Sequence, residues 1–343
     1  MLQHAQSSLN LPLLDLRQFD QGPFEREKFL SALRAAARDV GFFYLTGHGI
    51  PDREIDGIFR LSRQLFDLPE PEKLAIEMVN SPHFRGYTRA GWEITRGRQD
   101  WREQIDIGTE LPALPRHPDL PAWTRLQGPN QWPEAIPEFR NALLEWQASV
   151  TDLAVRVLRA FALSLGQPED VFSPIYNGAP NRLIKLIRYP GRDLTSDDQG
   201  VGPHKDSGFL TLLLQDRQKG LQVETEQGWI DAEPIPGVFV VNIGELLELA
   251  SNGYLRATVH RVITPPANTD RISVAFFMGA RLDATVPLLD LSPELAAEAS
   301  GPTADPLNPL FREVGRNYLK GRLRSHPDVA QRHHADLLEQ FVL

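Results

Sequence analysis

Nine histidines and no cysteine confine any metal site in this 343-residue chain to imidazole and carboxylate donors. On a β-strand an His-x-Asp pair puts both side chains on one face, because the period is two, and so offers two ligands together. Four such pairs occur: His117/Asp119, His204/Asp206, His326/Asp328 and His334/Asp336. Pro118 and Pro327 interrupt two of them and suit turns. His334 lies in a helix-like tail, where positions i and i+2 point apart. Only His204-Lys205-Asp206 leads directly into a strand-like run, residues 208–214. His260, within Thr258-Val259-His260-Arg261-Val262, is the third candidate, its neighbours facing the other way on a strand. A lone strand histidine is more often a core or rim residue. Joined to His204 and Asp206, it completes two imidazoles and one carboxylate on one side of a metal, leaving adjacent positions for O2 and a chelating substrate. Zinc suits the same donors, so these three residues alone do not decide for redox chemistry.

A second constellation is Arg271-Ile272-Ser273. On a strand Arg271 and Ser273 share a face, and a guanidinium plus a hydroxyl can hold one carboxylate through charge-assisted hydrogen bonds. The turn-forming residues 264–270 predict a hairpin joining the His260 and Arg271 strands. A register that opposes residues of odd summed number, such as 260 with 273, would turn the anchor toward the metal.

The elements that must position these groups are legible from periodicity. Apolar residues at three- and four-residue steps predict helices over 24–40, from Pro51-Asp52 to about Leu68, and over 137–166, with an aromatic strand Phe42-Phe43-Tyr44-Leu45 between the first two. Residues 80–137 read as long loops with short strands. From 183 the period becomes two, in six runs: 183–189, 209–214, 221–224, 238–243, 257–263 and 272–278, with one helical turn at 245–250. Such spacing points to an antiparallel sandwich or jelly roll. The fold class is mainly β with flanking helices: an N-terminal helical and mixed region (1–178), a β core (179–282) and a C-terminal helical cover (283–343), read as one compact unit.

Composition narrows function. The formal charge is −9, from 36 Lys+Arg against 45 Asp+Glu, and no basic run is present, which argues against nucleic acid and anionic membrane as partners. Residues 1–16 lack the basic start and apolar run of a leader, and no apolar stretch approaches roughly 18 residues, so a cytoplasmic location is expected.

Larger motifs surround the candidates: Arg188-Tyr189-Pro190, Gly202-Pro203-His204-Lys205-Asp206-Ser207-Gly208, Gly220-Leu221-Gln222-Val223, Val241-Asn242-Ile243-Gly244, His260-Arg261-Val262 and Arg271-Ile272-Ser273, with Gly47-His48-Gly49-Ile50 and Asp100-Trp101-Arg102-Glu103 upstream. Together they resemble the isopenicillin N synthase-like family of 2-oxoglutarate- and Fe(II)-dependent oxygenases over nearly the whole chain. The resemblance implies a double-stranded β-helix core with Fe(II) at its open end, 2-oxoglutarate as co-substrate, O2, and a small-molecule substrate. It matches His204, Asp206 and His260 to the iron ligands, Arg271 and Ser273 to the carboxylate anchor, Tyr189 to a tyrosine that holds co-substrate or substrate, and Arg85 and Tyr87 to a substrate-gripping region. The implied reaction is oxidative decarboxylation of 2-oxoglutarate to succinate and CO2, coupled to attack on a C–H bond. The alternative within the family is an oxidase of the isopenicillin N synthase type, whose peptide-like substrate puts its own carboxylate on the anchor. A catalytically silent barrel is a third reading. Asp206→Ala is expected to abolish iron retention under both enzyme readings and to leave a scaffold role intact, which metal analysis of the purified variant checks.

Overall fold

The computed structural model describes residues 11–193, 198–306 and 308–341; the first ten residues, on which most of the leader reading falls, lie outside them. The strands are β1 (Leu13–Asp15), β2 (Phe42–Thr46), β3 (Gly86–Thr88), β4 (Ile94–Thr95), β5 (Arg98–Gln99), β6 (Glu103–Gly108) and β7 (Arg182–Tyr189). They continue as β8 (Gln199–His204), β9 (Leu210–Gln215), β10 (Leu221–Thr225), β11 (Gly228–Asp231), β12 (Phe239–Ile243), β13 (His260–Ile263) and β14 (Arg271–Met278). Among the described residues they form an eight-stranded sheet, β1-β2-β12-β9-β14-β7-β6-β3, facing a four-stranded sheet, β11-β10-β13-β8, with β4-β5 as a separate ribbon. Every pairing within this jelly roll is antiparallel except β1 with β2.

The larger sheet is buried on both faces, and strand alternation divides its side chains. Outward go Phe43, Ile105, Ile107, Ile184, Leu186, Leu212, Leu214, Val274 and Phe276, into the main core. Against them pack α1 (Pro23–Asp39), α2 (Asp52–Phe66) and α4 (Phe139–Ser164), the short α3 (Glu70–Ala75) lying between. The apolar stripe of α4 (Leu143, Val150, Leu153, Val157, Leu158 and Phe161) is buried throughout, and Phe161 meets Phe43 edge-on at 6.3 Å. Gly41 ends the α1 region with φ +74°, and a Cβ there would lie 2.2 Å from the Arg256 carbonyl. The other face supplies Phe42, Tyr44, Ile187, Tyr189, Val240 and Ala275 to an inner core shared with Val201, Leu221, Val223 and Val262 of the smaller sheet. After α5 (Ser173–Tyr176) and α6 (Glu245–Ala250) come α7 (Pro293–Glu298), α8 (Val314–Ser325) and α9 (Pro327–His333), followed by a last turn, α10 (Leu338–Phe341). Helices α8 and α9 pack Leu319, Leu323, Val329 and Ala330 on Met78, Phe84 and Leu126. No helix among the described residues is long and apolar enough to cross a membrane.

Two expectations are corrected. The His260 and Arg271 strands are not a hairpin: β13 pairs with β10 and β8, whereas β14 pairs with β7 and β9 in the opposite sheet. The connection crosses between sheets, so the two groups approach across the barrel interior rather than along one ladder. His204 and Asp206 also do not share a strand. His204 is the last residue of β8, and Asp206 follows in the turn toward β9. Gly200, Gly202 and Pro203 masked β8 in the sequence, and they are tolerated because β8 is an edge strand. Phe161→Ala is expected to cost about 3–5 kcal/mol, read as a lower urea midpoint at unchanged m-value.

Candidate metal centre and carboxylate anchor

His260 and His204 lie directly opposite one another in the β13/β8 ladder, with ring centroids 4.3 Å apart. Each ring is oriented by its own strand. His204 Nδ1 lies 2.8 Å from the Gly202 carbonyl and His260 Nδ1 3.1 Å from the Thr258 carbonyl. Donation from both Nδ1 atoms leaves the two Nε2 lone pairs facing a common point. Asp206 Oδ1 stands 3.5 Å from His204 Nε2 and 3.6 Å from His260 Nε2, and ligand atoms of all three lie within 4.8 Å of one another.

The second Asp206 oxygen is already engaged: Oδ2 accepts hydrogen bonds from Thr211 Oγ1 at 2.5 Å and Asn242 Nδ2 at 2.8 Å. Its loop is pinned by the start of α6, where Glu245 N donates to the Asp206 carbonyl at 2.7 Å and Leu246 N to that of Gly208 at 3.1 Å. Gly244 is required here, since a Cβ would sit 2.1 Å from the Gly208 carbonyl oxygen. Burial by itself would raise Asp206, but His260, His204 and Asn242 outweigh it and keep the carboxyl ionised well below its ordinary range. Burial, reinforced by His204, lowers His260 to about 4, so it is a neutral imidazole near pH 7. One ionised carboxylate and a neutral imidazole, with a second imidazole opposite, make a donor set that fits a divalent metal on one face.

Deeper between the sheets, Arg271 is fully buried. It lies across from Tyr189 in the β14/β7 ladder, its guanidinium 4.9 Å from the Tyr189 ring centroid. Its Nη2 donates to Gln215 Oε1 at 2.8 Å. Arg271 Nε and Nη1 and the hydroxyl of Ser273 have no hydrogen-bond partner among the described residues. A buried cation with two open N–H groups is costly unless an anion completes it. The geometry therefore fits a carboxylate bridging Arg271 and Ser273.

Arg85 and Tyr87 are placed differently. Tyr87 opposes Ile105 on the helix-packed face of the sheet and donates to Glu103 Oε2 at 2.5 Å, which turns it away from Arg271 and Ser273. Arg85 Nη1 donates to the His83 carbonyl at 2.9 Å and Nη2 to that of Leu126 at 3.2 Å. Its side chain borders a cavity of about 210 Å3 with Trp123, Asn181 and Arg281. Sequence reasoning missed Thr211, Asn242 and Gln215 as supporting residues; their only signal was a polar residue at an inward position of an otherwise apolar strand.

Comparison with known proteins decides the family. Residues 180–280 match the 2OG-Fe(II) oxygenase superfamily and residues 11–135 the non-haem dioxygenase in morphine synthesis N-terminal family. The chain is 35% identical over 340 residues to the 2-oxoglutarate-dependent dioxygenase frbJ of Dothideomycetidae sp. (strain 11243), covering 94% of this chain and 91% of that protein. The chain belongs to the 2OG-Fe(II) oxygenase superfamily. It is 41% identical over 265 residues to homoarginine-6-hydroxylase 2-ODD-C23.1 of Arabidopsis thaliana, covering 76% of this chain and 79% of that one. Among solved structures, a full-length Neurospora crassa protein crystallised in complex with alpha-KG superposes with a TM-score of 0.73 at 26% identity, covering 92% of this chain and 96% of that one. The protein is a 2-oxoglutarate-dependent dioxygenase that uses Fe(II) and O2. Thr211→Val combined with Asn242→Ala is expected to weaken metal binding in this oxygenase by roughly 10–100-fold, measured as a Mn(II) isotherm on otherwise folded protein.

Proposed function

We propose that His204 Nε2, His260 Nε2 and Asp206 Oδ1 hold the iron, and that Arg271 and Ser273 hold the distal carboxylate of 2-oxoglutarate with the Tyr189 ring against the guanidinium. The observation that carries this reading is the pair of open Arg271 N–H groups beside the open Ser273 hydroxyl, all buried on the face turned toward the metal ligands. When bound, the iron would bring O2, the oxidant, together with 2-oxoglutarate, which would take up one oxygen atom and leave as succinate and CO2 while the other oxygen atom oxidises the substrate. The chain's own residues do the positioning. Arg271 and Ser273 fix one end of the co-substrate, so its keto acid end is presented to the metal in one orientation. Thr211 and Asn242 keep Asp206 on a single oxygen, and the Gly202 and Thr258 carbonyls fix the two imidazole planes. The apolar inner core of Val201, Leu221, Val223 and Val262 keeps water from that co-substrate end.

The reaction so supported is hydroxylation or a related oxidation of a small polar molecule, in line with the hydroxylase among the relatives. We assign the chain to the isopenicillin N synthase-like branch on its motifs. We also propose that its three regions form one compact unit working in the cytoplasm and, on the strength of its acidic balance, that it has no nucleic acid or membrane partner. Arg85 and Tyr87 are not included in the proposed substrate site. The test is anaerobic: Fe(II)-loaded protein is titrated with 2-oxoglutarate while the weak visible charge-transfer band of the chelated keto acid is followed. The band is expected in the natural protein and lost in Arg271→Ala, with 2-oxoglutarate affinity falling by about a hundredfold or more. Bound iron without a band would instead favour an oxidase whose substrate carboxylate occupies Arg271 and Ser273.

A further inference from the structure

Beyond the metal and the anchor, the inner face of the larger sheet carries an unusual concentration of charge. On β7 Lys185 alternates with Ile187 and Tyr189, and across the ladder from β6 come Asp106 opposite Lys185 and Gln104 opposite Ile187. In β14 the residue opposite Lys185 is Ala275, on the same face as Arg271 and Ser273. Glu93, from the segment before β4, reaches into this row. Its carboxylate accepts from Lys185 Nζ at 2.9 Å and from Arg102 Nη2 at 2.7 Å. Asp106 Oδ2 accepts from Arg322 Nη1 at 2.6 Å, and its Oδ1 from Gln104 Nε2 at 2.8 Å. Arg322 and His326, one helical turn apart in the C-terminal cover, close the row, with His326 Nε2 3.5 Å from Glu93 Oε1. Glu93, Arg102, Gln104, Asp106, Lys185 and His326 are all less than a tenth exposed.

Stability does not account for this arrangement. Buried ion pairs are often no better than well-packed apolar residues of the same volume, and here two atoms are left open as well. Arg102 Nε, a donor, and Gln104 Oε1, an acceptor, have no hydrogen-bond partner among the described residues. Burial would raise Glu93, yet Arg102 and Lys185 hold it ionised well below its ordinary range. Burial keeps His326 neutral, at about 4. Arg102 Nη2 also lies 3.4 Å from Asp100 Oδ2, and Asp100 Oδ1 accepts from the backbone N–H of Gly202, two residues before His204, at 3.1 Å. Lys185 shares the inward row of β7 with Tyr189, which stands opposite Arg271, so the row adjoins the co-substrate and metal positions.

The ions of the row compensate one another, but an apolar ligand against it would leave the Arg102 Nε donor and the Gln104 Oε1 acceptor unpaired. A ligand of one charge would satisfy one half of the row and repel the other. We infer that Glu93, Gln104, Asp106, Arg102 and Lys185 form the substrate-reading subsite, and that its ligand is an amphoteric small molecule of amino-acid type. Its cationic nitrogen donates to Gln104 Oε1 and the Glu93 and Asp106 carboxylates, and its carboxylate accepts from Arg102 Nε and Lys185. This assignment rests on the oxygenase reading of the neighbouring metal and anchor, and it identifies the class of molecule that reading leaves open.

The test uses the Fe(II)- and 2-oxoglutarate-loaded protein and measures succinate released in the presence of the common amino acids and homoarginine, against heptanoate and heptylamine as singly charged controls. An amphoteric probe is expected to raise succinate release at least about tenfold, and neither control is expected to do so. Gln104→Leu and Glu93→Gln are expected to raise the KM of that probe about a hundredfold. Both should retain the anaerobic 2-oxoglutarate band, which a general loss of fold or of the metal site would remove. Should Glu93→Gln not fold, Glu93→Gln/Lys185→Met removes both charges together and is expected to restore folding but not recognition. Stimulation by heptanoate or heptylamine equal to that by amino acids would overturn the inference, as would unchanged KM in the variants. If the natural protein gave no band, the oxygenase reading would fail instead. Calorimetric binding of the same amino acids to metal-free protein then decides the subsite: binding weakened by Gln104→Leu upholds it, and no binding refutes it.

Discussion

The strand period of two, imposed on a sheet that is buried on both faces, is the constraint from which the rest of this protein follows. Each central strand gives one row of side chains to the helices and the other to the space between the sheets. On β6 the rows are Ile105 and Ile107 against Gln104 and Asp106, and on β7 Ile184 and Leu186 against Lys185, Ile187 and Tyr189. The outward row buries enough apolar surface against α1, α2 and α4 to hold the sheet firmly. Only on that footing can the inward row be given over to groups that oppose folding: an open arginine, a carboxylate among imidazoles, and a line of buried ion pairs.

Those groups share one electrostatic logic. Asp206 and Glu93 are kept charged by fixed neighbours rather than by water, and at Asp206, at Arg271 and in the Glu93 row at least one polar atom is left for something that arrives later. Asp206 uses Oδ2 on Thr211 and Asn242 and leaves Oδ1 open. Arg271 uses Nη2 on Gln215 and leaves Nε and Nη1 open. Arg102 uses Nη2 on Glu93 and leaves Nε open. Such partial satisfaction destabilises the empty chamber, and it pre-orients the donors and acceptors for their ligands.

How far this was legible in the sequence depends on range. The helices were readable because α4 repeats its apolar residues within one segment, and Gly41 and Gly166 mark local stops. Convergence of His204, Asp206 and His260 was readable because their residue types leave few other uses for them together. Sheet membership was not, since whether β13 pairs with β14 or with β8 is settled by long-range packing and leaves no mark on residues 264–270. Strand β8 was hidden by Gly200, Gly202 and Pro203, and β6 by the polar residues of its inward row, which make a buried strand read as a loop. The ion-pair row was invisible because its members, from Glu93 to His326, are brought together only by the barrel and its cover.

We propose one chamber that holds a metal on His204, Asp206 and His260 and a carboxylate on Arg271 and Ser273. Diffraction from crystals of the anaerobic Fe(II)–2-oxoglutarate complex, recorded at the iron absorption edge, tests it most directly. The proposed chamber requires a single anomalous peak bonded to His204 Nε2, His260 Nε2 and Asp206 Oδ1, with the distal carboxylate of 2-oxoglutarate on Arg271 and Ser273 beneath Tyr189. Iron on any other set of side chains, or a co-substrate carboxylate held away from Arg271, would contradict it.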